Sequence, residues 1–326
     1  MLDFAGKRWW YLSISLVFFL VAVASLAIFQ LRPGIEFTSG STFTIEFTEQ
    51  NVTQGELRTA FGELGHPEAR VQGAGTNKFL IRTSELKNAP ALDANQGPDV
   101  PGEINQIEDG LRSRFGALTQ SNFSTVSETV STEIARNAAG AVIVAAIAIL
   151  IYIWAMFRSL HRPFRYGAAA VIALIHDAFI ILGLFALLGE VKGTEVDLAF
   201  ITAILTVIGF SVHDTIVVFD RIRETLHNDP YIPFEEAVNA SMTETLARSL
   251  NTSITVILTV VAMLLIGGET IRYFLLVLLV GIVAGTYSSI CVASQLLVAW
   301  ENGDFGKFFR KIRGKADEAG TAAEPA

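Results

Sequence analysis

Six apolar runs, each long enough to cross a bilayer as a helix, divide this chain and leave it few folds to choose from. They extend from Tyr11 to Phe29, Ala138 to Phe157, Tyr166 to Leu188, Val196 to Phe219, Leu246 to Gly267 and Arg272 to Trp300. A helix rises 1.5 Å per residue, so about 20 residues cross the hydrocarbon core. Inside that core the backbone finds no water, and only a helix closes its hydrogen bonds within one segment. The runs therefore predict six membrane-spanning helices, in a chain that is 51% hydrophobic and 17% charged. The single cysteine, Cys291, falls inside the sixth run and has no partner for an intramolecular disulfide.

Lys and Arg in short loops set the orientation, because cytoplasmic loops carry the positive excess. Lys7 and Arg8 precede the first run. Arg158, Arg162 and Arg165 join the second to the third, and Arg221, Arg223 and Arg248 lie between the cores of the fourth and fifth. Lys307, Arg310, Lys311, Arg313 and Lys315 follow the sixth. Both termini are thus expected in the cytoplasm. Lys7-Arg8 followed by Ala22-Val23-Ala24 has the outline of a cleavable leader. The apolar run continues to Phe29, however, and the alternating topology needs an anchor there. The formal charge of −8 includes the tail GKADEAGTAAEPA, which reads as a solvated end, and it disfavours nucleic-acid binding.

The organisation expected is a cytoplasmic N-terminus with helix 1 over 1–31, an exported domain over 32–137 and helices 2–6 over 138–300. Within the last of these a cytoplasmic amphipathic segment covers 221–245, and a basic stretch with a disordered tail covers 301–326. The exported region, roughly a hundred residues, is long enough to fold alone. STFTIEF (41–47) alternates as a strand, and QGELRTAFGELG (54–65) has the pattern of an amphipathic helix ended by Gly65. EARVQGAG and KFLIRTS read as a pair of strands, INQIEDGLRSRFG as a second helix and NFSTVSETVS as a last strand. The order βαββαβ predicts a ferredoxin-like α+β domain. Its only histidine, His66 beside Pro67, is expected to cap a loop, and a Pro/Gly/Asn-rich loop covers 87–102. No metal-ligand cluster, no nucleophile beside a base and no phosphate-binding Gly-rich loop occurs, so neither a metal nor another cofactor is expected.

Ionisable residues inside the apolar runs carry the functional signal, since a charge in hydrocarbon costs several kcal/mol and normally faces a protein interior or a wet cavity. Asp214 lies in ITAILTVIGFSVHDTIVVFDRIRE and Arg248 in LARSLNTSITVILTVVAMLLIGG, and the two are expected to form a proton relay. His176 and Asp177, echoed by His213 and Asp214, are candidates for a polar path or for plain interhelical hydrogen bonds. Arg248, Asn251 or Thr252, and Thr255 recur at three- and four-residue steps and line one helix face. Snorkelling to headgroups is the alternative for Arg248, and helix packing for the hydroxyls. Asp220, Arg221 and Arg223 read as interfacial ion pairs where the fourth helix leaves the bilayer. Gly281, Gly285 and Ser289, four residues apart, read as a packing face.

RPGIEFTSGS (32–41), LIHDAFIILG, GFSVHDTIVVFDRIRE and ARSLNTS together resemble the SecF family of bacterial protein-export subunits, across almost the whole chain. That resemblance implies a six-helix half of a twelve-helix, pseudo-symmetric unit completed by SecD and working beside the SecYEG channel and a membrane insertase. It implies a cytoplasmic-membrane protein with the head outside, which uses protons rather than a cofactor to draw secreted polypeptides outward and is not an enzyme. It also assigns Asp214 and Arg248 to the proton path. Glu36 and Ser39 stand where the family usually has Asp and Gly, and His213 where Asn is commoner, which adds a titratable group next to the path. Two other classes use similar features: an efflux half-transporter of the same resistance-nodulation-division superfamily, and an intramembrane aspartyl protease, for which Asp177 and Asp214 would serve as the pair. Neither aspartate has the protease's Gly-x-Gly-Asp context, and efflux members usually carry both halves in one chain.

The orientation gives a direct prediction. With Cys291 replaced, a cysteine at Ser84 is labelled by an impermeant thiol reagent added outside intact cells, and one at Ser159 is not. Labelling at Ser159 from outside reverses the topology.

Overall fold

The computed structural model describes residues 3–48, 52–75, 77–86, 102–158 and 162–304. In chain order the elements are α1 (Arg8–Phe29), α2 (Ile35–Thr38), β1 (Gly40–Phe47), α3 (Gln54–Glu63), β2 (Arg70–Gly75), β3 (Lys78–Thr83), α4 (Glu103–Phe115) and β4 (Leu118–Val126). There follow α5 (Glu128–Phe157), α6 (Pro163–Lys192), α7 (Leu198–Asn228), α8 (Phe234–Ile266), α9 (Glu269–Ser288), a π turn (Ser289–Ala293) and α10 (Ser294–Glu301). Among the described residues six helices are long and apolar enough to cross a membrane, the last combining α9, the π turn and α10. The chain is a multi-pass membrane protein. It divides into a membrane unit and a head unit, the latter comprising Arg32–Gly140 together with Glu195–Leu198.

In the head unit the strands lie in the order β2-β3-β1-β4, with every neighbouring pair antiparallel. Each β-α-β unit is therefore split by a strand of the other, as the sequence pattern predicts. Alternation along β1 places Phe43, Ile45 and Phe47 on the face covered by α3 and α4, where they meet Leu57, Phe61, Ile107 and Leu111. Thr53 starts α3 through a capping box with Glu56, so two otherwise orphaned backbone N–H groups gain partners. Gly65, at φ +95°, carries the chain out of the helix in a conformation that disfavours a side chain. His66 does more than cap a loop. It is buried, with Nδ1 3.3 Å from Thr83 Oγ1 and 3.4 Å from Glu68 Oε1, and Nε2 3.5 Å from Glu103 Oε1. The loop expected over 87–102 lies, up to residue 101, outside the described residues, as does the chain from 305 onward.

Three boundaries differ from the expectation. The last head strand stops at Val126, and SETVS opens α5, which runs unbroken into the second span; the line drawn at 137/138 thus falls inside one helix. Glu128 in the first turn favours a helix start over a strand end. The amphipathic segment over 221–245 is not a separate surface helix: 221–228 complete α7, and 234–245 form the first turns of α8. Pro233 precedes that helix where its missing N–H costs nothing. Apolar positions recur through the whole of α8, so its 33 residues form one rod of about 50 Å.

Within the membrane unit α1 lies against α6, and a Cβ added at Gly183 would fall 2.5 Å from Ala22 Cα. Ser25 Oγ donates to the Gly183 carbonyl at 2.8 Å. Phe157, Tyr166 and Phe219 form an aromatic knot joining α5, α6 and α7, with ring centroids 5.4–6.0 Å apart.

Phe61→Ala should weaken the head's own unfolding transition by about 3–5 kcal/mol, the cost of truncating a fully buried aromatic. Denaturation of the purified protein, followed by a probe at Ser84→Cys, measures it; an unchanged transition would contradict this core.

Candidate functional site: a polar seam inside the membrane unit

The close approach of α7 and α9 comes from small residues. Gly281 faces Val207, Gly285 faces Ser211, and Ser289 Oγ meets Thr215 Oγ1 at 2.9 Å, so both helices advance in four-residue steps side by side. An added Cβ would lie 2.3 Å from Val207 Cγ2 at position 281 and 2.9 Å from Ser211 Cβ at 285. With backbones this near, short hydroxyl side chains reach across the contact.

Asp177 on α6 occupies one end of the seam and is 1% exposed. Its Oδ2 accepts hydrogen bonds from Ser211 Oγ of α7 (2.7 Å) and Ser288 Oγ of α9 (2.6 Å), while Oδ1 lies 3.1 Å from His176 Nδ1. Three helices thus meet on one carboxyl. His176 is stacked on Phe19 of α1, and its Nε2 is buried with no hydrogen-bond partner among the described residues. Asp214 on α7, 3% exposed, faces Ser253 of α8, which meets Thr286 of α9 at 2.6 Å. Among the described residues, Asp214 Oδ2 and Ser249 Oγ, one turn before Ser253, are buried without a hydrogen-bond partner. A carboxylate with a bare oxygen in an apolar interior is costly, and that oxygen is where a proton can sit.

Arg248 is elsewhere. It lies on the exposed face of α8 with Asn251, Thr252 and Thr255, and it makes no ion pair among the described residues. The hydroxyls of Thr252 and Thr255 fold back onto the carbonyls of Arg248 and Asn251 at 3.0 and 2.7 Å. The expected Asp214–Arg248 pair is therefore open in this structure: the carboxyl faces inward and the guanidinium belongs to an outward stripe. His213, next to Asp214, is exposed. At the end of α7, Arg223 pairs with Asp220 (2.6 Å), and Arg221 pairs with Glu224 (2.6 Å) and with Glu244 of α8. Such solvated pairs contribute about 0–1 kcal/mol each, so they tie ends rather than drive chemistry. Asp177 is engaged by hydroxyls of α7 and α9 rather than by Asp214, which leaves no shared proton of the kind an aspartyl protease needs.

Sequence reading missed the partners Ser211, Ser253, Thr286 and Ser288, because a serine in an apolar helix looks alike whether it packs or bonds. It also missed the π turn. There the backbone gains a residue, Ser294 Oγ donates to the Ser289 carbonyl at 3.0 Å, and Gln295 is fully buried with Oε1 unpartnered among the described residues. Such turns often mark functional positions in helices.

Residues 106–303 match the family described as protein export membrane protein SecD/SecF, C-terminal, and residues 24–50 match the SecD/SecF GG motif. The chain belongs to the SecD/SecF family. It is 42% identical to the protein translocase subunit SecF of Thermobaculum terrenum, across 97% of this chain and 99% of that one. The protein translocase subunit SecDF of Bacillus subtilis is 33% identical over 94% of this chain, which spans only 39% of that longer protein. The crystal structure of SecDF from Thermus thermophilus, a translocon-associated membrane protein, superposes with a TM-score of 0.77 at 32% identity, over 92% of this chain and 39% of that one. In those fused relatives the region similar to this chain is joined to a larger remainder.

Gly281→Leu should destabilise the protein by about 1–3 kcal/mol through overpacking against Val207, and Val207→Ala should recover part of the loss. Thermal unfolding in detergent of the three variants reads both effects. A harmless Leu would show that α7 and α9 do not meet there.

Proposed function

We propose that this chain is one half of a proton-driven protein-export unit of the bacterial cytoplasmic membrane, and that a SecD-type protein supplies the other half. The observation that carries the reading is the outward stripe on α8. Arg248, Asn251, Thr252 and Thr255 lie on the exposed face of a helix apolar enough to span the bilayer. A guanidinium facing lipid at that depth is costly, whereas one facing a polar neighbour helix is not. The fused SecDF relatives, with one region like this chain and a larger remainder, point to the same neighbour. The description of one of them as translocon-associated supports a translocation channel beside this unit; a SecYEG-type channel, its polypeptide cargo and a membrane insertase are the partners this reading adds. The role is transport rather than catalysis. Both termini are cytoplasmic in this reading, and the head lies outside.

Asp214 is the proton-binding group and Arg248 its movable counter-charge. When the partner half shifts α8 so that the guanidinium approaches, the carboxylate is stabilised; when it withdraws, the carboxyl keeps its proton. Asp177, held by Ser211, Ser288 and His176, ties α6, α7 and α9 into the scaffold against which α8 moves. His213 on α7 and Asn251, Thr252 and Thr255 on α8 are exposed, which supports a role for them in lining the path on the partner-facing side. A membrane potential contributes about 2.3 kcal/mol per charge per 100 mV, enough to bias two states a few kcal/mol apart.

Export of a secreted precursor into membrane vesicles, with and without an imposed proton gradient, tests this. Asp214→Asn and Arg248→Met should each abolish the gradient-dependent stimulation at normal levels of complex, and Asp220→Asn should leave it in place. Full stimulation in the Asp214→Asn protein would reduce Asp214 to a packing residue.

A further inference from the structure

The linker between α6 and α7 is built into the head unit. Residues Glu195–Leu198 cluster with the head, although the helices on either side of them belong to the membrane unit. Val196 bonds as a strand residue: its N–H donates to the Arg32 carbonyl at 2.8 Å, and its carbonyl accepts from the Gly34 N–H at 2.7 Å. Pro33 is thereby the parallel bridge partner of Val196. In this register Pro33 needs no N–H, which is why proline is tolerated there. Gly34 is required by closeness, since a Cβ would stand 3.0 Å from the Val196 carbonyl oxygen.

Side chains close the same contact. Arg82 of β3 pairs with Glu195, and its other nitrogen donates to Thr38 Oγ1 at 3.3 Å, so one guanidinium spans the linker and α2. Burial pushes the Glu195 carboxyl up, Arg82 and then Arg70 oppose that push, and Glu36 adds to it. Without Arg82 the carboxylate would lose its main counter-charge. Gly40, at φ +124° with the Thr83 carbonyl oxygen 2.6 Å from where a Cβ would be, lets the chain turn from α2 into β1 beneath this pair.

We infer that this clasp, formed by Arg32–Gly34, Glu195–Val196 and Arg82, is a fixed coupling element that conveys displacement of α6 and α7 to the exported head. The inference rests on the proposed proton-driven function, because α6 carries Asp177 and α7 carries Asp214. A head joined to the membrane helices only through its own two chain ends could lag behind a movement of α6 and α7. With the linker between those helices held in the head by two backbone hydrogen bonds and an ion pair, it follows them. The clasp stays closed through the cycle.

The test uses the whole chain in its complex, with Cys291→Ala as background and export in vesicles as readout. Arg82→Gln/Glu195→Gln should reduce the gradient-dependent stimulation about fivefold or more, the lower end of coupling between sites, with export in the absence of a gradient unchanged. Gly34→Val should act in the same direction. Pro33→Cys/Val196→Cys places thiols on bridge partners, about 4.8 Å apart as in paired strands and inside the range a disulfide spans. Oxidation should form that bond with full stimulation retained. Added to the Arg82→Gln/Glu195→Gln protein, it should restore stimulation, and reductant should take it away again. The clasp is overturned if the bond does not form, if it fails to restore the double variant, or if it blocks stimulation in the otherwise native chain. It is also overturned if the double variant, assembled at normal level, is stimulated like the parent. If Asp214→Asn also keeps its stimulation, the proton-driven reading has failed first; if Asp214→Asn loses it while the clasp variants do not, only the clasp has.

Discussion

Hydrocarbon offers no hydrogen bonds, and every polar group in the membrane unit must find its partner within protein. Three ionisable residues meet that constraint to three different degrees. Asp177 has both oxygens engaged and draws α6, α7 and α9 together. Asp214 faces Ser253, and among the described residues its buried Oδ2 has no hydrogen-bond partner and Arg248 no ion-pair partner. The order runs from a fully engaged carboxyl, through a half-engaged one, to an exposed guanidinium. Helix packing sets that order. Gly281 and Gly285 bring α9 close enough to α7 for serine and threonine hydroxyls to reach, whereas α8 turns Ser249 and Ser253 inward and its charged stripe outward.

The head answers to a different constraint. It buries Phe43, Ile45, Phe47, Phe61 and Leu111 in an ordinary two-layer core, and among the described residues it contains no group of side chains that could hold a metal ion. Its distinctive feature is the borrowed linker: Val196 exchanges backbone hydrogen bonds with Arg32 and Gly34, and Glu195 pairs with Arg82.

Much of this was legible in the residues. Six apolar runs sufficed for the helices, and period-two alternation in STFTIEF and KFLIRTS for the sheet, because both signals are local. Gly281, Gly285 and Ser289 stood out as a four-residue repeat on one face. Boundaries were harder. SETVS has strand-like composition, and only its continuity with the span makes it helix. The 234–245 segment looked like a surface helix because its amphipathic pattern says nothing about whether the rod continues. The partners of Asp177 and Asp214 come from three other helices, and no spacing in one chain encodes which serine will face which aspartate. The π turn at Ser289–Ala293 likewise leaves no pattern in composition. The openness of the Asp214–Arg248 pair depends on which face of α8 each packing residue claims, a tertiary outcome.

The central claim is that Asp214 gains and loses a proton as the complex changes conformation. Infrared difference spectroscopy on the reconstituted complex observes this at the carboxyl itself. The account predicts a protonated-carboxyl band that responds to an imposed proton gradient, shifts on exchange into heavy water, and is missing in Asp214→Asn. A band that ignores the gradient, or that persists unchanged in Asp214→Asn, would contradict it.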